Sequence, residues 1–358
     1  MKSKKNGFAI FLGVLLGLCL LVSPPGGQAA EKLAIGTVYP ADMTNNEVYP
    51  ALMYFKTLLE GQTGGAYEVE IFGGGQLGSE VEVTRECQTG VTVQMSIASS
   101  GAFSSFYKKY QAIVGPYLFP DRMTAWGFFD SDFFAGFMGE LPAIGLRYLG
   151  TMDDGGGFVV LTNNLRPVNT PADFKGMRIR TEENPAHMAI MNAMGAAATP
   201  MAWGEVATAL ATGTAHGQFN APSIITWAKL WETQKYVTFL NHIYNTNTWV
   251  ISDKWFKKQS PENQKLIIES ARAAIIYSRG LAAHLSELSV GESEKHGMKF
   301  NYIEPKNLEQ FSKLAKQGYR KWAVDDFGLS AQLLDDIDQE IARIKNAQLN
   351  EFAGRYGR

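Results

Sequence analysis

Cysteine is almost missing, with Cys19 and Cys87 the only two in 358 residues. Cys19 falls in a segment expected to be removed, so Cys87 has no partner for an intrachain disulfide. One thiol also cannot complete a zinc site. The five histidines, His187, His216, His242, His284 and His296, show no ligand spacing such as H-x-x-x-H. There is no G-x-S-x-G elbow and no nucleophile–base pair, which leaves an enzymatic reading without machinery. Positive charge is not in excess either: 33 Lys and Arg face 35 Asp and Glu, a formal charge of −2. Nucleic acid and anionic membranes are therefore poor partners. Internal repeats and low-complexity tracts are absent, and no cofactor or metal is expected.

Long apolar runs are scarce, and the clearest is Phe8–Val22. Lys2, Lys4 and Lys5 precede it, Pro24-Pro25-Gly26-Gly27 breaks it, and Gln28-Ala29-Ala30 offers small residues for cleavage. Residues 1–30 thus read as a signal peptide, since a spanning helix needs about 20 apolar residues. Taking 30 residues from 358 leaves 328, enough for two domains. It also removes three lysines and no acid, so the formal charge moves from −2 to −5. At 46% hydrophobic and 12% aromatic residues, the chain can build a core without disulfides.

What is present alternates between strand and helix patterns. Leu33–Val38 reads as a strand and Tyr39–Asn46 as a polar loop. Glu47–Glu60 reads as a helix and Tyr67–Phe72 as an alternating strand. Gly73-Gly74-Gly75-Gln76-Leu77-Gly78 fits G-x-G-x-x-G, but the next strand, Val93–Ala98, ends in Ser99-Ser100-Gly101 with no ribose-binding acid. A turn before a helix Ser79–Thr89 is the simpler reading. Asp153-Asp154-Gly155-Gly156-Gly157 lacks the spacing of a Ca²⁺ loop and reads as a hinge loop, followed by a strand Phe158–Thr162. Ile224–Gln234 reads as a helix whose Trp227 and Trp231 share one face as core. Ile251–Trp255 reads as a second crossing between domains. Ser260-Pro261-Glu262-Asn263 is a capping signature, opening a helix that runs past Arg279 towards Glu294.

The stretch Gly176–Asn220 is the richest. Met177 and Ile179 alternate with Arg178 and Arg180 as in a short strand, and Pro185 opens a helix that stops at Gly195. Thr199-Pro200 turns into Met201-Ala202-Trp203, and Gln218-Phe219-Asn220 closes the unit. Such a parallel crossover presents ligands with the carboxyl ends of its strands. Arg180, Trp203 and Asn220 all fall near that edge. One guanidinium, one flat ring and one amide suit a small organic anion. Glu182 and Glu183 read as capping and hinge residues. His216, four residues before Asn220, reads as a core or surface histidine.

The segments DFKGMRIRT, ATPMAWGEV and LATGTAHGQFN resemble the solute-binding subunits of tripartite ATP-independent periplasmic (TRAP) transporters, the DctP-like family, over about Leu33 to the C-terminus. The resemblance implies an α/β, two-lobed periplasmic binding protein fold. Each lobe would be a sheet flanked by helices, joined by crossing strands and a long helix. Lobe I would comprise residues 31–156 plus about 246–287, and lobe II residues 157–245 plus about 288–358. It also implies that Arg180 pairs with a substrate carboxylate, Trp203 walls the pocket and Asn220 fixes orientation. Glu80 matches a position often acidic and near ligand, though it also suits a helix first turn. Ser99, Ser100, Asn184, Asn245 and Asn46 complete the candidate set. Family members often carry Arg where this chain has Val159 and a base where it has Val81. Their loss implies one anionic group in the ligand, not two. The implied role is capture of a C2–C4 carboxylate or sulfonate, such as a hydroxyacid or isethionate, for small and large membrane subunits. A larger aromatic or sugar acid, or a sensor-linked module, is the alternative.

Overall fold

The computed structural model describes residues 30–357, so all of the expected signal peptide but Ala30 lies outside the described residues. Among the described residues eleven strands form two sheets. In the first, β1 (Glu31–Gly36), β2 (Tyr67–Phe72), β3 (Met95–Ser99), β4 (Leu146–Phe158) and β10 (Tyr244–Ser252) take the order β2-β1-β3-β10-β4. In the second, β5 (Val160–Asn163), β6 (Arg178–Thr181), β7 (Ala197–Pro200), β8 (Gly217–Asn220), β9 (Tyr236–Phe239) and β11 (Lys299–Tyr302) take the order β11-β9-β5-β8-β6-β7. Strands joined through helices pair in parallel, whereas β10 and β5, which carry the chain across, run antiparallel to their neighbours. The result is two α/β lobes linked by crossing strands.

Local chemistry accounts for the element ends. Helix Val48–Gln62 buries Val48, Ala51, Leu52, Phe55 and Leu59, one face at helical spacing. Ser79 caps helix Glu80–Thr89 through a capping box with Glu82. The preceding glycine loop is a turn: Gly74 and Gly75 give their N–H groups to the carbonyls of Tyr39 and Thr37. Those donors are not free to cradle a phosphate. Ser260 accepts from Asn263 N and opens the 35-residue helix Pro261–Lys295. At 1.5 Å per residue it is roughly 52 Å long, and it packs on β4 and on helices Val48–Gln62 and Pro222–Trp227, tying the lobes together.

Three expectations need correction. The Asp153–Gly157 segment is not a loop but part of β4. Tyr244 pairs with Phe158 and Thr246 with Asp153, so the glycines form a bulge. All three have positive φ, and a Cβ on Gly156 would strike Ser286 of the long helix. The second crossing is β10, beginning at Tyr244, while Asp253–Phe256 is a helical turn. The helix after Asn220 ends at Trp227, and Trp231 lies in a separate turn stacked on His296 with centroids 4.0 Å apart.

Candidate binding site

Arg180 is the third residue of β6, paired with Thr199 of β7 and Gln218 of β8, and is only 3% exposed. Its Nε and Nη2 donate to the Met201 carbonyl at 3.2 and 3.0 Å. A guanidinium has five N–H donors, so three remain for other partners. Trp203 packs beside it, with the guanidinium carbon 5.8 Å from the ring centroid. Burial pulls the Arg180 pKa down, and the charges of Glu182, Glu80 and Asp154 oppose that pull. The group remains a cation held among acids.

The cavity it faces is partly open to solvent, and the empty space within it, mouth included, is about 310 Å³. Its walls come from both lobes. Tyr39, Glu80, Ser99 and Asp154 belong to the first, and Arg180, Glu182, Trp203, Asn220 and Trp227 to the second. A void of about 400 Å³ adjoins it, sharing Val38, Glu80, Arg180, Glu182 and Trp203 and adding Val81. Asn220 ends β8 and gives one amide hydrogen to Gln218 Oε1 at 2.5 Å. Glu80 accepts from the Ser99 amide at 2.7 Å and its hydroxyl at 3.1 Å. Burial and the nearby Glu182 push the Glu80 carboxyl up to about 8. Asp154, beneath the β4 bulge, accepts from the Tyr39 hydroxyl and from Asn245 Nδ2; burial raises it to about 7.

Of the candidates read from sequence, Arg180, Trp203, Asn220, Glu80 and Ser99 line this cavity. The other four stand behind it or away from it. Ser100 donates to Asn245 Oδ1, and Asn245 in turn holds Asp154. Asn184 caps helix Pro185–Ala193 and reaches across to the first lobe, bonding Ser104 Oγ at 2.8 Å and Gly101 O at 3.3 Å. Asn46 is fully buried and spends its amide on Tyr49 N, Pro40 O and Asp42 O. His216 accepts from Arg178 N and lies off the cavity. Val159 is core.

Four polar or aromatic wall residues escaped the sequence reading. Glu182 is no mere cap: it lines the cavity beside Arg180 and faces Glu80 of the other lobe. Trp227 packs against the first-lobe core, as read, and also forms an aromatic corner with Trp203 and Tyr39, at centroid distances of 5.3 and 5.8 Å. Tyr39 and Asp154 were placed in loops without a role. An acid immediately after a binding strand is the one signal that could have found Glu182. Among the described residues no group of His, Cys, Asp or Glu is arranged to hold a metal ion, and no helix is long and apolar enough to cross a membrane.

Two α/β lobes closed on an arginine-bearing cavity define a clamshell solute-binding protein. The chain belongs to the DctP family, "Bacterial extracellular solute-binding protein, family 7", whose model matches residues 35–325. That family serves transport and not catalysis. The chain is 28% identical to the 2,3-diketo-L-gulonate-binding periplasmic protein YiaO of Escherichia coli, over 95% of this chain and 99% of that protein. It is 32% identical to the C4-dicarboxylate-binding periplasmic protein DctP of Rhodobacter capsulatus, over 77% and 82%. A TRAP periplasmic solute-binding protein from Bordetella bronchispeptica, with density assigned as pantoate, superposes with a TM-score of 0.79 at 30% identity, covering 86% of this chain and 98% of that one. These relatives identify a solute-binding subunit of TRAP type.

Proposed function

We propose that this protein is exported to the periplasm and captures a small organic acid with a single anionic group, C2–C4 in size and carboxylate or sulfonate in kind. It then delivers the acid to the small and large membrane subunits of a TRAP transporter. The observation that carries this reading is the buried Arg180 fork facing a cavity of about 310 Å³ between two lobes. Exclusion of water from that cavity strengthens a guanidinium–carboxylate pair well beyond its value in bulk solvent. A micromolar affinity needs about 8 kcal/mol, much of which a bidentate charged pair with supporting hydrogen bonds can supply. Asn220 and Trp203 would orient and wall the acid.

Relatives named for diketogulonate, C4-dicarboxylates and pantoate support the acid class while differing in the rest of the molecule. The test is a thermal-shift screen of small carboxylates and sulfonates. Ligand at 100 times its Kd adds about 2.7 kcal/mol to stability. A screen in which no acid raises the melting temperature, or in which Arg180→Ala responds like the parent, refutes the reading.

A further inference from the structure

We propose that the captured acid carries a cationic nitrogen at the end remote from its acid group, so that the ligand is a zwitterion. This rests on capture by Arg180 as described above. It starts from an imbalance of charge in the cavity wall. Glu80, Asp154 and Glu182 all line the same void as Arg180. Arg180 gives two of its donors to the Met201 carbonyl and not to a carboxylate. Among the described residues Arg180 is the only cation lining that void. Seating a ligand carboxylate on it occupies that cation, so Glu182, and Glu80 and Asp154 once they ionise, are left without a counter-charge. Buried charge of one sign is costly unless it is paired.

Unpartnered groups at the same wall point to a donor on the ligand. Glu182 Oε2, an acceptor 3.4 Å from His187 Nδ1, is buried without a hydrogen-bond partner. Asn220 is 4% exposed and spends an amide hydrogen on Gln218, while its Oδ1 accepts from no described residue. An ammonium or amidinium has N–H groups for Glu182 and Asn220 together. Tyr39, Trp203 and Trp227 supply the aromatic faces on which such a cation rests favourably. A second carboxylate at that end would meet Glu182, and Glu80 once it ionises, as a like charge.

Calorimetry on the full mature chain tests this with 4-aminobutyrate against the linear four-carbon acids butyrate, succinate and D-erythronate, and with ectoine as an amidine-bearing acid of different skeleton. The expected result is that an amine- or amidine-bearing acid binds at least tenfold tighter than the others. Glu182→Gln should bring the ratio of 4-aminobutyrate to butyrate affinity close to one. Affinity for the zwitterion should rise from pH 6 to 8.5. The groups that face its cationic end are Glu80 on the helix after the glycine loop and Asp154 on β4, with Glu47 and Tyr39 behind it. Glu182 and Glu183 face it from the turn after β6, with Arg180 and His187 beside them. Raising the pH ionises Glu80 and Asp154 and so favours a cation. Succinate, butyrate or erythronate binding best, affinity falling over that pH range, or an unchanged ratio in Glu182→Gln would each overturn the proposal while leaving capture by Arg180 intact. Undiminished binding of every acid by Arg180→Ala would overturn both.

Discussion

The Glu182 carboxylate of one lobe fills the space where a side chain on Gly101 of the other would begin. A Cβ at Gly101 would overlap that carboxylate and come within 3.0 Å of Glu182 Cβ. Asn184 Nδ2 bonds the Gly101 carbonyl from the same side. Closure therefore brings the two lobes to van der Waals contact at a residue with no side chain. Gly101→Ala should displace Glu182 and hold the cleft ajar. We expect ligand affinity to fall about tenfold, or 1.4 kcal/mol. The ligand-free melting temperature should change little, since the lobe cores are untouched. Isothermal calorimetry beside a thermal melt separates the two effects, and unaltered affinity would show that the lobes close differently.

Arg180 is asked to do two things at once, and only a planar fork does both. Its Nε and Nη2 hold the Met201 carbonyl, fixing the start of the segment that carries Trp203, while the outward N–H groups are left for the ligand. A lysine ammonium is a point charge that can satisfy one of these. Arg180→Lys should therefore lose at least a hundredfold in affinity, nearly as much as Arg180→Ala, despite keeping the charge. Titration calorimetry with a bound acid decides it, and full affinity in the Lys variant would remove the bidentate role.

Much of the scaffold was legible because its signals are local. Alternation marked Tyr67–Phe72 to the residue, Ser260-Pro261 marked the start of the long helix, and the strand–helix–strand pattern around Arg180 set that side chain at a sheet edge. What was not legible depends on closure and on backbone conformation. Glu182 reads as a cap until the opposite lobe brings Glu80 towards it. Trp227 shares a helical face with Trp231 in the sequence, yet the helix ends at Trp227 and the two rings part. Asp154 reads as a hinge acid because three following glycines suggest a loop. Those glycines instead bulge a continuing strand against the long helix, and the bulge buries the acid.

His187 and His242 flank Phe219 edge-on, with centroids 5.5 and 4.8 Å away, and none of their four ring nitrogens has a hydrogen-bond partner. Burial holds them neutral, with pKa values lowered to about 4 and about 3. Below about pH 6.5 the unfolded chain binds protons at these rings and the folded one does not, so their contribution to stability is complete above 6.5 and is lost as pH falls towards 4. His242→Leu removes one such site. Relative to the parent, the variant should gain about 1.4 kcal/mol for each pH unit lowered between 6 and 4. Urea unfolding across that range measures the difference, and a pH-independent offset would mean that His242 is protonated in the folded state.

Glu47 works in the opposite sense. It is fully buried before helix Val48–Gln62, where Oε1 accepts from Gly155 N at 2.8 Å and Oε2 has no partner. Burial raises its pKa to about 8, the Gly155 hydrogen bond works against that shift, and the charges of Asp154 and Asp153 add to it. A carboxyl whose folded pKa exceeds its unfolded value holds its proton more tightly when folded. Its contribution is full below about pH 4 and is lost as pH rises through 8. Glu47→Gln keeps an acceptor for Gly155, cannot ionise, and sets an amide towards the neighbouring acids. The parent should therefore lose stability relative to this variant as pH rises from 4 to 8, by about 1.4 kcal/mol per pH unit, and level off above 8. Parallel urea melts at pH 5, 6, 7 and 9 would reveal it, and identical pH profiles would mean that Glu47 is already ionised at neutral pH, its charge met by a donor on the β4 bulge.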